Sequence, residues 1–327
     1  MYRKLSLPLL LICILLGAGC TRQSARPAPE APDSVKVVPL YRYFADRDSA
    51  AVLADTALLR EFLSVVNYPH DSLSADASMW ANSLPVKVFT PAVDSIYGPA
   101  GAPLDSYIGY ALAAARLEGI DLPRRKYAAV VYGRREPIGF LDSTMFIAMN
   151  HYLDPDYEGY QRFPVYERVL KTPEQLPYDI AEALLGTVRP FAPAPDGATV
   201  LSRMLYSGAL AMGRLLSVDS ASEAAALGYT PAQFEWLLEH EAELWRTLVA
   251  KQLVYDTDPQ TADRLVSPAP ATPLLSIYSP GRVGRFIGYR MVRGYLARHP
   301  EKRLSDLLSP DFYNSPDALS LVDYSPD

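Results

Sequence analysis

Hydrophobic positions along the chain fall into three kinds of pattern. The first is one unbroken apolar stretch, Leu5-Ser-Leu-Pro-Leu-Leu-Leu-Ile-Cys-Ile-Leu-Leu16, between Arg3-Lys4 and the small residues Gly17-Ala18-Gly19. A spanning helix takes about 20 apolar residues, so this stretch is too short, and its basic, apolar and small-residue zones are those of an export signal. The second pattern is helical. Val52, Thr56, Leu59, Leu63 and Val66 recur at helical spacing after Asp48, as do Leu104, Ile108, Leu112 and Ala115. Leu73, Ala77, Trp80 and Leu84 suggest a shorter helix between them, and the period resumes over 177–188 and through Leu201, Leu205, Gly208, Met212 and Leu216. The third pattern is short, β-branched and aromatic, at 126–132, 138–141 and 144–149, with turn residues between the runs. It predicts a small β-meander. The fold class expected is mainly α with that meander, an α+β arrangement.

Two C-terminal helices are the most sharply marked. Thr230-Pro231-Ala232-Gln233 supplies a capping Thr, Pro at the first helical position and Gln three residues after the cap. Behind it Phe234, Leu237, Leu238, Leu244, Trp245, Leu248 and Gln252 form one face, with Glu241 near its middle. A carboxylate on an apolar face is either buried and paired or lines a cavity. Over Val283 to Arg298, the residues Gly284, Ile287, Gly288, Met291 and Tyr295 share a face. Two glycines one turn apart admit a second backbone, and tight helix packing is the expected use.

Composition adds the organisation. Residues 21–35 are rich in Pro, Ala and Ser and have no apolar period, which reads as a flexible tether. Cys20 follows small residues as in a lipobox, although Leu16 lies one position further from it than is usual. The expected organisation is a signal peptide over 1–19, a lipidated Cys20 with its tether over 20–35, and one mainly helical domain over 36–327. Two or three lipid chains on Cys20 would give stable membrane anchoring. The chain has 2 Cys, and the other, Cys13, lies in the signal, so the exported chain has no thiol for a disulfide, a metal cluster or a nucleophile beyond Cys20. A net charge of −6 with no strong basic run argues against nucleic acid as a partner.

The stretch Gly228-Tyr-Thr-Pro-Ala-Gln-Phe-Glu-Trp236, continuing through Glu241-Ala-Glu-Leu-Trp245 and Leu253-Val-Tyr-Asp-Thr-Asp258, resembles the signature of the gliding motility lipoprotein family GldB. Ser279-Pro-Gly-Arg-Val-Gly-Arg-Phe-Ile-Gly288 and Ile147-Ala-Met-Asn-His-Tyr-Leu153 fit the same family. Leu205-Tyr-Ser-Gly-Ala209 falls where the family usually reads Tyr-Glu-Gly-Lys. The resemblance covers most of the chain from about residue 40 and is specific in the C-terminal half. It implies an envelope lipoprotein of the Bacteroidota linked to gliding machinery and its secretion system. It also implies a distant likeness to zincin-type peptidases, hence a degenerate zincin-like architecture.

A zincin needs two His one helical turn apart, a Glu beside the first and a third ligand downstream. None of His70, His151, His240 and His299 are four apart, the helix expected to carry the motif reads Asp179-Ile-Ala-Glu182-Ala-Leu, and Ser207 stands where a downstream Glu would serve. No catalytic residue, metal or cofactor is therefore assigned. Glu241 is expected to be half of a buried ion pair, with Arg203, Arg282, Arg285 or Arg290 as partner and Arg285 as first choice. Glu182 is a weaker candidate, as is His151, with Asp154 and Asp156 near it for a metal. Tyr152, Tyr157, Tyr160 and Tyr166 could stack on sugars but suit packing better. The functional expectation is a non-catalytic lipoprotein facing the periplasm from the outer membrane and acting on other envelope proteins. The alternative is an envelope hydrolase of peptidase-like ancestry. A cleft lined by converging polar groups between 177–188 and 199–216 would favour the hydrolase; Ala, Leu and Met packing there would not.

Overall fold

The computed structural model describes residues 29, 33–68, 72–98 and 100–326. Cys20, the signal stretch and most of the tether lie outside them, as does His70. Along the chain run β1 (Val37–Val38), α1 (Leu40–Ala45), α2 (Ser49–Leu53), α3 (Thr56–Val65), α4 (Leu73–Ala81), α5 (Leu84–Tyr97) and α6 (Leu104–Leu117). Next come β2 (Lys126–Val130), β3 (Ile138–Leu141), β4 (Thr144–Ala148), α7 (Val165–Arg168), α8 (Leu176–Val188) and α9 (Val200–Leu216). The rest is helical: α10 (Glu223–Leu227), α11 (Pro231–Glu239), α12 (Glu241–Ala250), α13 (Pro259–Val266), α14 (Val283–Arg298), α15 (Leu304–Leu307), α16 (Pro310–Tyr313) and α17 (Ala318–Val322). The fold is mainly α with one small sheet, the expected α+β class. No helix of the described residues is long and apolar enough to cross a membrane.

The sheet is not a meander. Its order is β1-β2-β4-β3, with β1 parallel to β2, β2 parallel to β4, and β3 antiparallel to β4. All five residues of β4 and four of β2 are buried, whereas β3 is only half-buried. Strands apolar on both faces belong at the centre, so β4 displaces β3 from beside β2. The Asn150 side chain then prolongs the β2–β4 pairing: it accepts from Tyr132 N at 3.1 Å and donates to Tyr132 O at 2.9 Å.

Helix boundaries depart from the periodic reading in three places. The segment 52–66 is two helices, because Asp55 accepts from Leu58 N at 3.0 Å and starts a new one. Leu84 opens α5, which continues through Pro91. The Thr230 helix has its capping box but breaks at His240 into α11 and α12, and Gln252 lies beyond α12 with φ +57°.

Two hydrophobic clusters share the core. One packs α1, α3 and α4 on the sheet, with Phe44, Phe62, Trp80 and Phe146 at its centre. The other is built around α9 and α14. These two helices meet backbone to backbone: a Cβ on Gly288 would lie 1.8 Å from the Met204 carbonyl oxygen, and one on Gly208 would lie 2.1 Å from the Gly288 carbonyl carbon. The expected close approach is therefore real, with Gly208 of α9 as the partner. Helix α8 joins the clusters, giving Ile180, Ala181 and Leu184 to the first and Leu185 to the second.

Candidate functional site

On the face of α8 turned from the sheet, Gln175 at the N-cap, Asp179 and Glu182 follow at spacings of four and three and so line up. They border a cleft of 380 Å³, with Arg203, Tyr206, Ser207, Leu210 and Arg214 of α9 opposite and Arg282 and Arg285 at the start of α14. The helices 177–188 and 199–216 thus enclose converging polar groups. Beyond the cleft Leu185 of α8 packs against Gly213 of α9, so the space between them is part polar cleft, as the hydrolase alternative expects, and part apolar packing.

Glu182 is the centre of the network. Arg285 forks onto it with Nη1 to Oε1 at 2.8 Å and Nη2 to Oε2 at 3.1 Å, and Arg214 donates to the same carboxylate. Arg214, almost fully buried, also pairs with Asp179 at 3.0 Å and donates to Gln175 Oε1 at 3.0 Å. Tyr152 donates to Asp179 Oδ2 at 3.1 Å. Burial alone would raise the Glu182 carboxyl, but Arg285 and Arg214 outweigh it and hold it well below the usual carboxylate range. Burial raises the Asp179 carboxyl instead, because Arg214 offsets less and Glu182 repels from one turn away. Arg282 is different again: burial, with Arg285 beside it, brings its guanidinium down to about 10.

The expected pairing of Glu241 with Arg285 is corrected. Arg285 is committed to Glu182, and Glu241 accepts from Arg290 Nε at 2.9 Å and from the Tyr324 hydroxyl at 2.7 Å. Arg285 and Arg290 are five positions apart on α14, so they leave the helix on different sides and reach different neighbours. Glu241 is buried, as its place on an apolar face requires.

His151 and its neighbouring acids do not converge. The imidazole is buried, with Nε2 at 2.9 Å from the Arg134 carbonyl and Nδ1 at 2.9 Å from Lys171 Nζ. A carbonyl only accepts and an ammonium only donates, so Nε2 carries the proton. Burial, then Lys171, lowers its pKa to about 3. Asp154 instead accepts from the backbone N of Asp156 at 2.8 Å in an exposed turn. No group of three or more His, Cys, Asp or Glu able to hold a metal occurs among the described residues. Of the tyrosines, Tyr160 is buried with its hydroxyl donating to Asn150 O at 2.7 Å, and Tyr152 serves the cleft.

A larger groove of 520 Å³ lies where the tether enters the domain, with Arg124 and Arg125 on its rim. Arg124 is exposed and Arg125 half-buried, and Arg116 there pairs with Asp33. It lacks the buried, interlocked charges that single out the α8–α9–α14 cleft. Sequence reasoning missed Arg214. Its signal was a lone cation seven residues after Ser207, on the apolar face Leu210-Ala-Met-Gly-Arg214.

No curated protein and no solved structure matches the chain. A family model described as gliding motility protein GldB matches residues 120–315, a span that includes β2–β4, α8, α9 and α14 and hence every wall of the cleft. The earlier helices α1–α6, where the resemblance is loose, lie outside it. The chain belongs to the GldB family of gliding motility proteins.

Proposed function

We propose that the protein is a lipid-anchored component of the bacterial envelope that serves gliding or secretion-associated machinery by binding rather than by catalysis. Family membership supports the link to gliding. The anchor at Cys20, an outer-membrane position facing the periplasm, and other envelope proteins as partners complete the reading. One observation carries its non-catalytic part: Glu182, the central carboxylate of the cleft, is held ionised by two guanidinium groups. A carboxylate so held is too weak a base to activate water or Ser207 near neutral pH. The test is a deletion strain complemented with wild type, Glu182→Gln or Cys20→Ser. Palmitate labelling should vanish with Cys20→Ser. Spreading or secretion should be lost with Glu182→Gln at unchanged abundance. Retained label, or full function in the Glu182→Gln strain, counts against the reading.

Asp179 favours a second reading, a hydrolase at the same cleft. A carboxyl raised by burial, close to Tyr152 and across from Ser207, is what a general acid requires. Turnover of envelope peptides by the purified protein, abolished by Asp179→Asn, would select it.

A further inference from the structure

We infer that the α8–α9–α14 cleft binds a singly charged carboxylate carried on a partly apolar body, with Arg282 as the recognising group. The inference rests on the reading of this cleft as a binding site.

Arg282 is held in a strained and closely fitted position. Its backbone is left-handed, φ +63°, a conformation that non-glycine residues rarely adopt and that persists only where the surroundings impose it. The surroundings are specific. The Tyr229 hydroxyl lies 2.9 Å from both the Gly281 and the Arg282 carbonyl oxygens and pins that turn. A Cβ at Gly228 would lie 2.5 Å from Arg282 Nη1, so the guanidinium occupies the room that glycine leaves. Gly281 is equally constrained, since a Cβ there would meet the Ala269 carbonyl oxygen at 2.1 Å. The fold thus strains one residue, leaves room for its guanidinium at Gly228 and holds the preceding Gly281 against the Ala269 backbone.

No described residue pairs directly with that cation, and Glu182 and Asp179 act on it only through space. Arg285 and Arg214 are engaged by Glu182 and Asp179, and Arg203 is engaged by Asp263 at 3.2 Å. Arg282 has neither an ion pair nor a hydrogen bond from its guanidinium to any described residue. With Asp179 and Glu182 both ionised, the lining keeps one uncompensated positive charge, which a monoanion balances. A planar fork of N–H donors matches a carboxylate in two parallel bonds. A dianionic phosphate would bring its second charge towards Glu182 and Asp179. Leu170, Leu210, Val266 and Pro268 line the remainder of the cleft, and such a surface suits an apolar body behind the charged end.

Isothermal titration of the full-length protein in detergent tests this with N-acetyl-Ala-Leu bearing a free carboxylate, its C-terminal amide, and inorganic phosphate. The free acid should bind, with the amide and phosphate at least about tenfold weaker. Arg282→Gly should lose the acid by a similar factor while its Tm stays equal or rises, because glycine relaxes the left-handed turn. Arg282→Lys keeps the charge without the fork and should weaken binding several-fold, which preserves the test if the glycine variant does not fold. Equal affinity for acid and amide, tighter binding of phosphate, or undiminished binding by either variant overturns the assignment. If the acid binds and is also cleaved, the site stands and the non-catalytic reading falls. If no probe binds while Glu182→Gln abolishes spreading at normal abundance, this inference alone falls.

Discussion

Glu182 and Glu241 are both carboxylates on helices, both grip an arginine of α14, and they do different work. Glu241 is enclosed. Its charge meets one arginine and one tyrosine hydroxyl, and the result is a staple: Tyr324, whose ring also packs on Trp245 at 5.2 Å, is fastened beside α12. Glu182 meets two guanidinium groups, and just over a quarter of its side chain faces the open cleft. The buried Nε groups of Arg214 and Arg285 have no partner among the described residues, a cost that a purely structural pair would tend to avoid. A buried carboxylate held through one oxygen by one arginine and one hydroxyl reads as architecture. One surrounded by excess donors at the floor of a cavity reads as part of a site.

That contrast can be broken, and the largest effect should come from the crossing that holds the Glu182 network together. Gly288→Ala forces a methyl group into the Met204 carbonyl and should cost about 3 kcal/mol or more in urea unfolding, disturbing the cleft with it. A loss under about 1 kcal/mol would mean that α9 and α14 can separate freely. Glu182→Ala strands two arginines and should cost about 3 kcal/mol, the low end for breaking a buried network because water reaches the cleft. Glu241→Gln should cost only about 1 kcal/mol, since the amide oxygen still accepts from Tyr324. Equal losses for the two glutamate substitutions would erase the distinction drawn above.

Acid titration separates a third element from both. Between pH 6.5 and about 3 the unfolded chain binds a proton at His151 that the native imidazole refuses. Stability therefore falls on acidification through this window by up to about 1.4 kcal/mol per pH unit, and His151→Gln should remove that slope. The contribution of Glu182 has the same sign but a lower window. Its folded carboxyl is depressed, so its stabilisation is intact above the ordinary carboxylate range and is lost only below it. A pH 5–6 slope that survives His151→Gln but vanishes with Glu182→Gln would reverse these assignments. The smallest effect on stability is that of Arg282→Gly, near zero or slightly favourable, for the turn no longer has to be forced.

Local signals in the chain were legible where one element's own residues decide its form. The Thr230–Gln233 capping box is formed by the hydrogen bonds its spacing announces, and α8, α9 and α14 begin and end close to where periodicity places them. The glycine pair of α14 pointed to a close approach, and Gly208 stood on the facing stripe of α9. What periodicity cannot supply is which neighbour a face meets. It placed Glu241 on a buried face but left four arginines as partners, and the first choice, Arg285, belongs to Glu182. It found three strands but not that the half-buried one moves to the edge, nor that Val37–Val38 would join as a fourth. Pro91 hid α5, and Asp55 was read as one position in a long helix although it caps a new one. Arg214 passed unnoticed because one cation in an apolar run looks like an interruption until its partners on α8 are in view.

The contact between Gly208 and Gly288 has a mechanical consequence. Packed helices ordinarily adapt to a ligand by shear, sliding a little on the layer of side chains between them. Here main chain rests on main chain, and no such layer exists at the crossing. The α9 and α14 walls therefore behave as fixed jaws. Adjustment to an occupant falls to the loop 267–282, which ends on the left-handed turn at Arg282.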